Sequence, residues 1–257
     1  MKLLPLKNPF NAPIFHEETV SSTMDTVRVL AGQNEAHGTV ICADFQEAGR
    51  GRLSRSWVTD HGDNLMFSVL LRYGEFSSVP KALTLRTGLA VSLALEDLVP
   101  ALCGSVKIKW PNDIMIFSRK AAGILTEGDG KNVYIGIGVN VAQKEFPPEF
   151  RSKAVSLIQA LPEGSPALNE GARFILLENI LSRLHSEIEK PGDNWQERLL
   201  ARLYKKGEPV SFAEGAADSE KLITGTLSGI GPDGELLIIP RGEQKARSYV
   251  TGELKVY

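Results

Sequence analysis

Residues 106–141 read VKIKWPNDIMIFSRKAAGILTEGDGKNVYIGIGVNV, and this stretch decides the fold class. Four runs, Val106 to Trp110, Ile114 to Phe117, Gly123 to Glu127 and Val133 to Val141, are separated by turn formers such as Pro111-Asn112 and Gly128-Asp129-Gly130. Short β-rich runs bounded in this way predict strands that pair into one sheet. Upstream, strands are expected at Thr39 to Asp44 and Leu65 to Arg72. In the second, Leu65, Phe67, Val69 and Leu71 share one face while Met66 and Leu70 make the other apolar, which predicts an interior strand. Thr84 to Leu98 is apolar nearly all round, with Leu85, Leu89 and Leu93 at helical spacing and Pro100 beyond, the pattern of a buried helix.

Downstream, Ala142 to Pro166 holds Pro147, Pro148, Pro162 and Pro166 with little periodicity, so a long lid-like loop is expected there. Ser165-Pro166 is read as opening a helix whose stripe is Phe174, Leu177, Leu181, Leu184 and Ile188 and which ends at Pro191-Gly192-Asp193. Trp195 to Tyr204 makes a shorter helix, and Lys205-Lys206-Gly207 marks a boundary. Val210 to Phe212, Leu222 to Ile230, Glu235 to Ile239 and Arg247 to Val256 then alternate with Gly-rich turns, including the hairpin signal Pro232-Asp233-Gly234-Glu235. The expectation is an α/β domain over residues 1–206 followed by a small all-β barrel over residues 207–257.

Composition narrows the function. The 257 residues, 42% of them hydrophobic, suffice for one full core and a small second domain. The 29 Lys and Arg and 31 Asp and Glu leave a net charge of -2, so no global positive field gathers nucleic acid, and any bound anion must be held locally. Cys42 and Cys103 lie far apart, which excludes a disulfide framework or a Cys-x-x-Cys metal site and points to a reducing, cytoplasmic setting. No segment approaches the ~20 apolar residues of a membrane span, and Pro5 and Pro9 break the N-terminus, so neither secretion nor membrane insertion is expected.

The most unusual chemistry lies in Gln46 to Trp57, where Gly49-Arg50-Gly51-Arg52 and Arg55 follow directly on a strand. Glycine lets backbone N–H groups approach a ligand, and arginine offers a planar fork of donors to phosphate or carboxylate. This is an anion site or, alternatively, an exposed basic loop; neither a Walker A nor a dinucleotide fingerprint is present. A second cluster is Lys109-Trp110-Pro111-Asn112-Asp113 with Lys120-Ala121-Ala122-Gly123. Asn112 and Asp113 fit turn capping or a site, and Lys120 is either a solvated edge lysine or a cation projecting into a cleft. Gly136 and Gly138 inside a strand imply close packing against its backbone, and Asn140 is an amide in an apolar strand, either structural or ligand-reading. Ser21-Ser22-Thr23-Met24 leads a helix, where the hydroxyls serve as caps or as ligands.

In this order, Ser22-Thr23-Met24, Gln46 with Gly49-Arg50-Gly51-Arg52 and Trp57, Lys109 to Asp113, Lys120 to Leu125 and Gly136 to Asn140 closely resemble the biotin–protein ligase family. The resemblance implies a mixed sheet backed by helices, of the class II synthetase-like type, and a C-terminal SH3-like barrel. It further implies that ATP activates biotin as biotinyl-5'-AMP with release of pyrophosphate, and that the acyl group passes to a lysine of a biotin carboxyl carrier protein. Carried over by position, it puts biotin against Ser22, Thr23, Met24, Gln46, Arg50, Gly51, Arg52 and Lys120, with the ureido ring on Ser22, Thr23 and Gln46. It puts the nucleotide against Arg52, Trp57, Asn112, Lys120 and Asn140. Lys120, Arg52 and Asp113 are implied as catalytic, Asp113 orienting the incoming amine or lying near a magnesium ion that arrives with ATP. The family also implies a possible edge-strand homodimer. Members that double as repressors carry an N-terminal helix-turn-helix, and here the first motif begins about twenty residues from Met1, so DNA binding is not expected.

Related readings are a lipoate–protein ligase, an octanoyltransferase and a noncatalytic biotin sensor. Cys42 in an apolar strand and Cys103 after a helix are expected to be inert, which argues against the nucleophilic cysteine of an octanoyltransferase. The polar set Ser22, Thr23 and Gln46 favours biotin over lipoate, and Lys120 with Asp113 favours an enzyme over a sensor.

Overall fold

The computed structural model describes residues 1–57, 61–165, 167–169, 171–189, 194–215 and 222–255. Its larger sheet is eight-stranded and contains β1 (Lys2–Leu3), β2 (Ile14–Val20), β3 (Val40–Gln46), β4 (Leu65–Arg72), β5 (Val106–Lys109), β6 (Asp113–Ile116), β7 (Arg119–Gly128) and β8 (Asn132–Val139). The spatial order is β1-β2-β3-β4-β8-β7-β6-β5. Only the β2–β3 pairing is parallel, so the sheet is mixed as expected. A parallel pair needs a crossover, and α1 (Thr23–Gly32) supplies it.

The alternation in β4 separates two layers. Leu65, Phe67, Val69 and Leu71 join the main core with α2 (Leu83–Leu98) and α4 (Ala172–Glu189), while Leu70 and Ile41 meet Met24, Val27 and Leu30 of α1 on the opposite face. Phe67, Leu70 and Leu71 are fully buried, each worth roughly 1.5–3 kcal/mol on leaving water. The β5–β8 stretch pairs as one sheet, but β7 begins at Arg119, four residues earlier than read from Gly123. The tight turn that permits this is Phe117-Ser118, with both φ positive at 49° and 64°, a conformation that sequence reading assigns to Asn-Gly rather than to Phe-Ser.

The strand β2, IFHEETV, was not anticipated, because its central His16, Glu17 and Glu18 interrupt the apolar alternation. The single turn α3 (Leu157–Ala160) lies inside the expected loop, formed by a capping box between Ser156 and Gln159. α4 starts at Ala172 rather than at Ser165-Pro166; Pro166, like the expected stop at Pro191-Gly192-Asp193, lies outside the described residues. α5 (Trp195–Arg202) follows.

The second sheet is five-stranded and antiparallel: β9 (Pro209–Glu214), β10 (Leu222–Ile230), β11 (Leu236–Pro240), β12 (Arg247–Tyr249) and β13 (Gly252–Lys255), in the order β12-β11-β10-β9-β13. The expected single strand Arg247 to Val256 is therefore two strands at opposite ends of the sheet, Val256 lying outside the described residues. The chain crosses from β11 to β9 at Gly252, whose φ of 143° and close approach to the Phe212 ring exclude a side chain. Phe212, Leu227, Ile230 and Leu236 belong to the same core as α2. Trp110 spans the two sheets, its ring 5.9 Å from that of Phe212 and its Nε1 donating to the Gly234 carbonyl at 2.9 Å. Among the described residues no helix is long and apolar enough to cross a membrane.

Trp110→Phe removes that hydrogen bond and several buried ring atoms. It should lower the unfolding free energy by about 2–4 kcal/mol, read as a shift in the urea midpoint at unchanged slope.

Candidate active site

The site is built around one irregularity. β7 pairs with β6 as Asp113 with Gly123 and Ile114 with Ala122, but then Met115 with Lys120, so Ala121 is an extra residue in β7. Regular alternation would put Lys120 on the face of buried Ala122; the bulge returns it to the face of Asp113 and Gly123. Its Nζ consequently lies 2.6 Å from Asp113 Oδ1. Lys109, only 3% exposed, approaches the other oxygen of Asp113 at 3.8 Å. Burial pulls the Lys109 pKa below the ordinary lysine value. One carboxylate thus sits between two ammonium groups on the floor of a cleft of about 770 Å³.

The Gly-Arg loop closes over this floor as a folded turn rather than a loose basic tail. Trp57 N–H donates to Gly49 O at 2.8 Å and Gly51 N–H to Arg55 O at 2.7 Å. Its arginines diverge. Arg52 turns inward and reaches Asn112 Oδ1 at 3.4 Å, and burial lowers its pKa. Arg50 binds Asp25 of α1 at 2.6 Å, and Arg55 grips Glu253 of β13 through both nitrogens at 2.6 and 2.8 Å. Asn112 in turn donates to Ile124 O at 2.7 Å, tying the loop to the β6–β7 hairpin.

The two glycines of β8 do admit close packing, and the packers are the protein's own side chains. A Cβ at Gly138 would stand 2.5 Å from Trp57 Cε2, and one at Gly136 would stand 2.9 Å from Met24 Sδ. The Trp57 indole therefore lies flat on the strand, with Lys120 Nζ 5.5 Å from its centroid. Its Nε1–H has no acceptor among the described residues.

Away from the charges, Thr23 donates to Gln46 Oε1 from both N and Oγ1, at 2.8 and 3.0 Å, and accepts from Ser68 Oγ at 2.9 Å. Ser22 is the N-cap of α1, accepting from Met24 N–H at 3.3 Å, and also lines the cleft. Capping and site readings of Ser22 are thus compatible. Asn140 is 4% exposed and donates to the carbonyls of Lys120 and Val155, both at 3.3 Å, a structural tether in the cleft wall.

The residues given biotin, nucleotide or catalytic roles from the sequence, Ser22, Thr23, Met24, Gln46, Arg50, Gly51, Arg52, Trp57, Asn112, Asp113, Lys120 and Asn140, line this one cleft. Arg55 of the anion loop lines it too, and residues given no site role from the sequence that also line it include Lys109, Phe146, Phe150 and, from β13, Glu253. Lys109 stood inside a quoted motif, whereas nothing in sequence joins Arg55 to a glutamate 198 residues away. Cys42 is buried, which pushes its thiol up to about 12, and it takes no part in the cleft.

The profile of the Biotin/lipoate A/B protein ligase family matches residues 17–140 of the chain that folds into this mixed sheet and cleft. The biotin--[acetyl-CoA-carboxylase] ligase of Paracoccus denitrificans is 30% identical over 218 residues, covering 79% of this chain and 85% of that protein. The biotin protein ligase of Aquifex aeolicus, solved in complex with biotin and ATP, superposes with a TM-score of 0.76 at 31% identity, over 94% of this chain and 97% of that one. This chain belongs to the biotin protein ligase family. The bifunctional ligase/repressor BirA of Bacillus spizizenii is 39% identical over 158 residues, and the match spans about half of that relative, 47% of its length.

The Arg55 hydrogen bonds hold Glu253 down at about 2. With a folded pKa below the unfolded value of ~4.3, the pair's contribution is fully present above that value and is lost as pH falls toward 2. Arg55→Met should therefore destabilise by a constant amount, below about 1 kcal/mol given the exposed arginine, from pH 5 to 8, and by progressively less as pH falls from about 4 through about 2. Paired denaturation curves across pH check this; a cost that grows on acidification would contradict it.

Proposed function

We propose that the chain is a biotin–protein ligase that uses ATP to convert biotin to biotinyl-5'-AMP, releasing pyrophosphate. It then transfers the biotinyl group to a lysine of a biotin carboxyl carrier protein of a biotin-dependent carboxylase, releasing AMP. The observation that carries this reading is the bulged Lys120, held with Lys109 and Arg52 in the cleft that also contains the Thr23–Gln46 polar pair. A carboxylate and a triphosphate repel each other as they meet, and preorganised cations in a partly dry cleft offset that repulsion as the carboxylate oxygen attacks the α-phosphorus.

On this reading the ureido ring, with N–H donors and a carbonyl acceptor, faces Ser22, Thr23 and Gln46, and the valeryl chain runs past Met24. Arg50 and Gly51 flank it at the loop, Trp57, Asn112 and Asn140 take the nucleotide, and Asp113 orients the acceptor amine. Asp113 is already neutralised by two lysines, and among the described residues no group of three or more His, Cys, Asp or Glu could hold a metal. Magnesium would thus be carried on the phosphates of ATP, supplying charge neutralisation there. We also read residues 207–257 as an SH3-like barrel packed against a catalytic domain over residues 1–206. The strand order of the second sheet, with sequence-adjacent β12 and β13 at its two ends, supports that reading.

The deciding experiment incubates the chain with ATP, magnesium, either biotin or lipoate, and a carrier domain, and identifies the protein-bound acid by mass. Biotin on the carrier lysine is expected; lipoate alone, or neither acid, overturns the proposal. Lys120→Ala should cut biotin-dependent exchange of pyrophosphate into ATP by about 10²–10³-fold with the thermal midpoint preserved, and near-normal exchange would remove Lys120 from its assigned role.

A further inference from the structure

The segment between β8 and α3 covers the cleft with Phe146, Pro147 and Phe150, and both of its ends are anchored. On the entering side Asn64 donates to Gln143 Oε1 at 2.7 Å, and Gln143 donates to Glu145 O at 2.9 Å. On the leaving side Leu157 and Ile158 N–H donate to the carbonyls of Asn140 and Val141 at 3.0 and 3.1 Å. Between them residues 147–154 are wound into consecutive turns, with Phe150 and Arg151 N–H on Pro147 O and Lys153 and Ala154 N–H on Phe150 O. The last of these turns ends on the backbone of Lys120: Lys120 N–H donates to Lys153 O at 2.7 Å, and Val155 N–H donates to Lys120 O at 3.0 Å.

Gln159 joins the two stems. It is exposed and outside the cleft lining, and it is the third residue of the capping box opened by Ser156. Its Oε1 accepts from Ser156 N–H at 3.2 Å, which is all that a capping box requires of that position. Its Nε2 does something further, donating to the Lys144 carbonyl on the opposite stem at 2.7 Å. A compact surface loop whose ends are bridged loses less order when its middle is displaced.

We propose that Gln159 is a positioning residue. By clasping the stems at Lys144 and Ser156 it keeps residues 145–155 folded over the cleft, and through the Lys153–Val155 ladder it fixes the backbone that carries Lys120. The inference deepens the ligase reading above and rests on it. The clasp acts on the cover and on Lys120 together, so its loss raises adenylate escape and lowers the rate of adenylation, while the ureido contacts at Thr23 and Gln46, and with them the affinity for biotin, stay as they are.

Gln159→Glu separates the clasp from the cap. A glutamate still accepts from Ser156 N–H and makes an equally good capping box, but it has no N–H to give to Lys144 O. Gln159→Ala loses both. In both variants the half-life of enzyme-held biotinyl-5'-AMP should fall about three- to tenfold, the span one neutral hydrogen bond commands, with kcat of pyrophosphate exchange lowered and KM for biotin unchanged. Gln159→Glu should keep the wild-type thermal midpoint. Tryptic cleavage at Arg151 and Lys153 in the ligand-free protein should accelerate in both. Wild-type adenylate lifetime and cleavage rate in Gln159→Glu, with change confined to Gln159→Ala, would overturn the proposal and leave only a helix cap. If the unaltered chain makes no adenylate from biotin, the ligase reading is what fails. The tryptic comparison then decides the clasp alone, faster cleavage in Gln159→Glu upholding it and equal cleavage ending it.

Discussion

The structure turns on a carboxylate held between two lysines. Asp113 accepts from Lys120 at 2.6 Å and stands 3.8 Å from Lys109, one lysine half-buried and the other almost wholly so. Such a cluster is poor currency for stability, because taking an ammonium group out of water costs about as much as its pairing returns. The backbone around it is nonetheless built to hold it. The bulge at Ala121 breaks the sheet alternation so that Lys120 and Asp113 share a face, and the Lys120 peptide is bonded on both sides, to Lys153 and to Val155 and Asn140. An arrangement that costs ladder regularity and desolvation agrees with the role proposed for it, cations held ready for an incoming anion.

The same economy explains the small residues nearby. Gly123 and Gly138 form a floor on which Trp57 lies, and that contact fixes the end of the Gly-Arg loop whose start is fixed by Gly49. A side chain at Gly138 would lift the indole and, with it, the loop that presents Arg52. The chain therefore gives up β-propensity in its central strands to gain a rigid cover on one side of the cleft.

How much of this was legible in the sequence follows from what sequence encodes. The interior strand Leu65–Arg72 and the hairpins of residues 106–141 were readable because burial imposes a period and turns impose residue types. The motif residues gathered in one cleft, but their local partners were not readable. The bulge has no period to betray it, since Ala121 and Ala122 are both small and both buried. Gly136 and Gly138 announced a close contact without saying that Met24 and Trp57 make it. β2 escaped because the polar run His16, Glu17 and Glu18 masks a strand whose place is set by parallel pairing with β3. The division of Arg247–Val256 into strands at opposite sheet ends depends on Gly252 meeting Phe212, a contact between segments about forty residues apart.

The second sheet matters to the cleft for a reason that its position in sequence conceals. Its apolar face shares one core with α2 and with Trp110, so it is braced against the larger sheet rather than tethered by a linker. Trp110 immediately precedes the turn that carries Asn112 and Asp113, and its indole is bonded to the β10–β11 turn at Gly234. One rigid side chain thus refers the charged turn to the second sheet, while β13 of that same sheet supplies Glu253 to hold Arg55 of the Gly-Arg loop. The loop and the charged turn are positioned from two directions by a single element, and their separation across the cleft is set by that sheet's own rigidity.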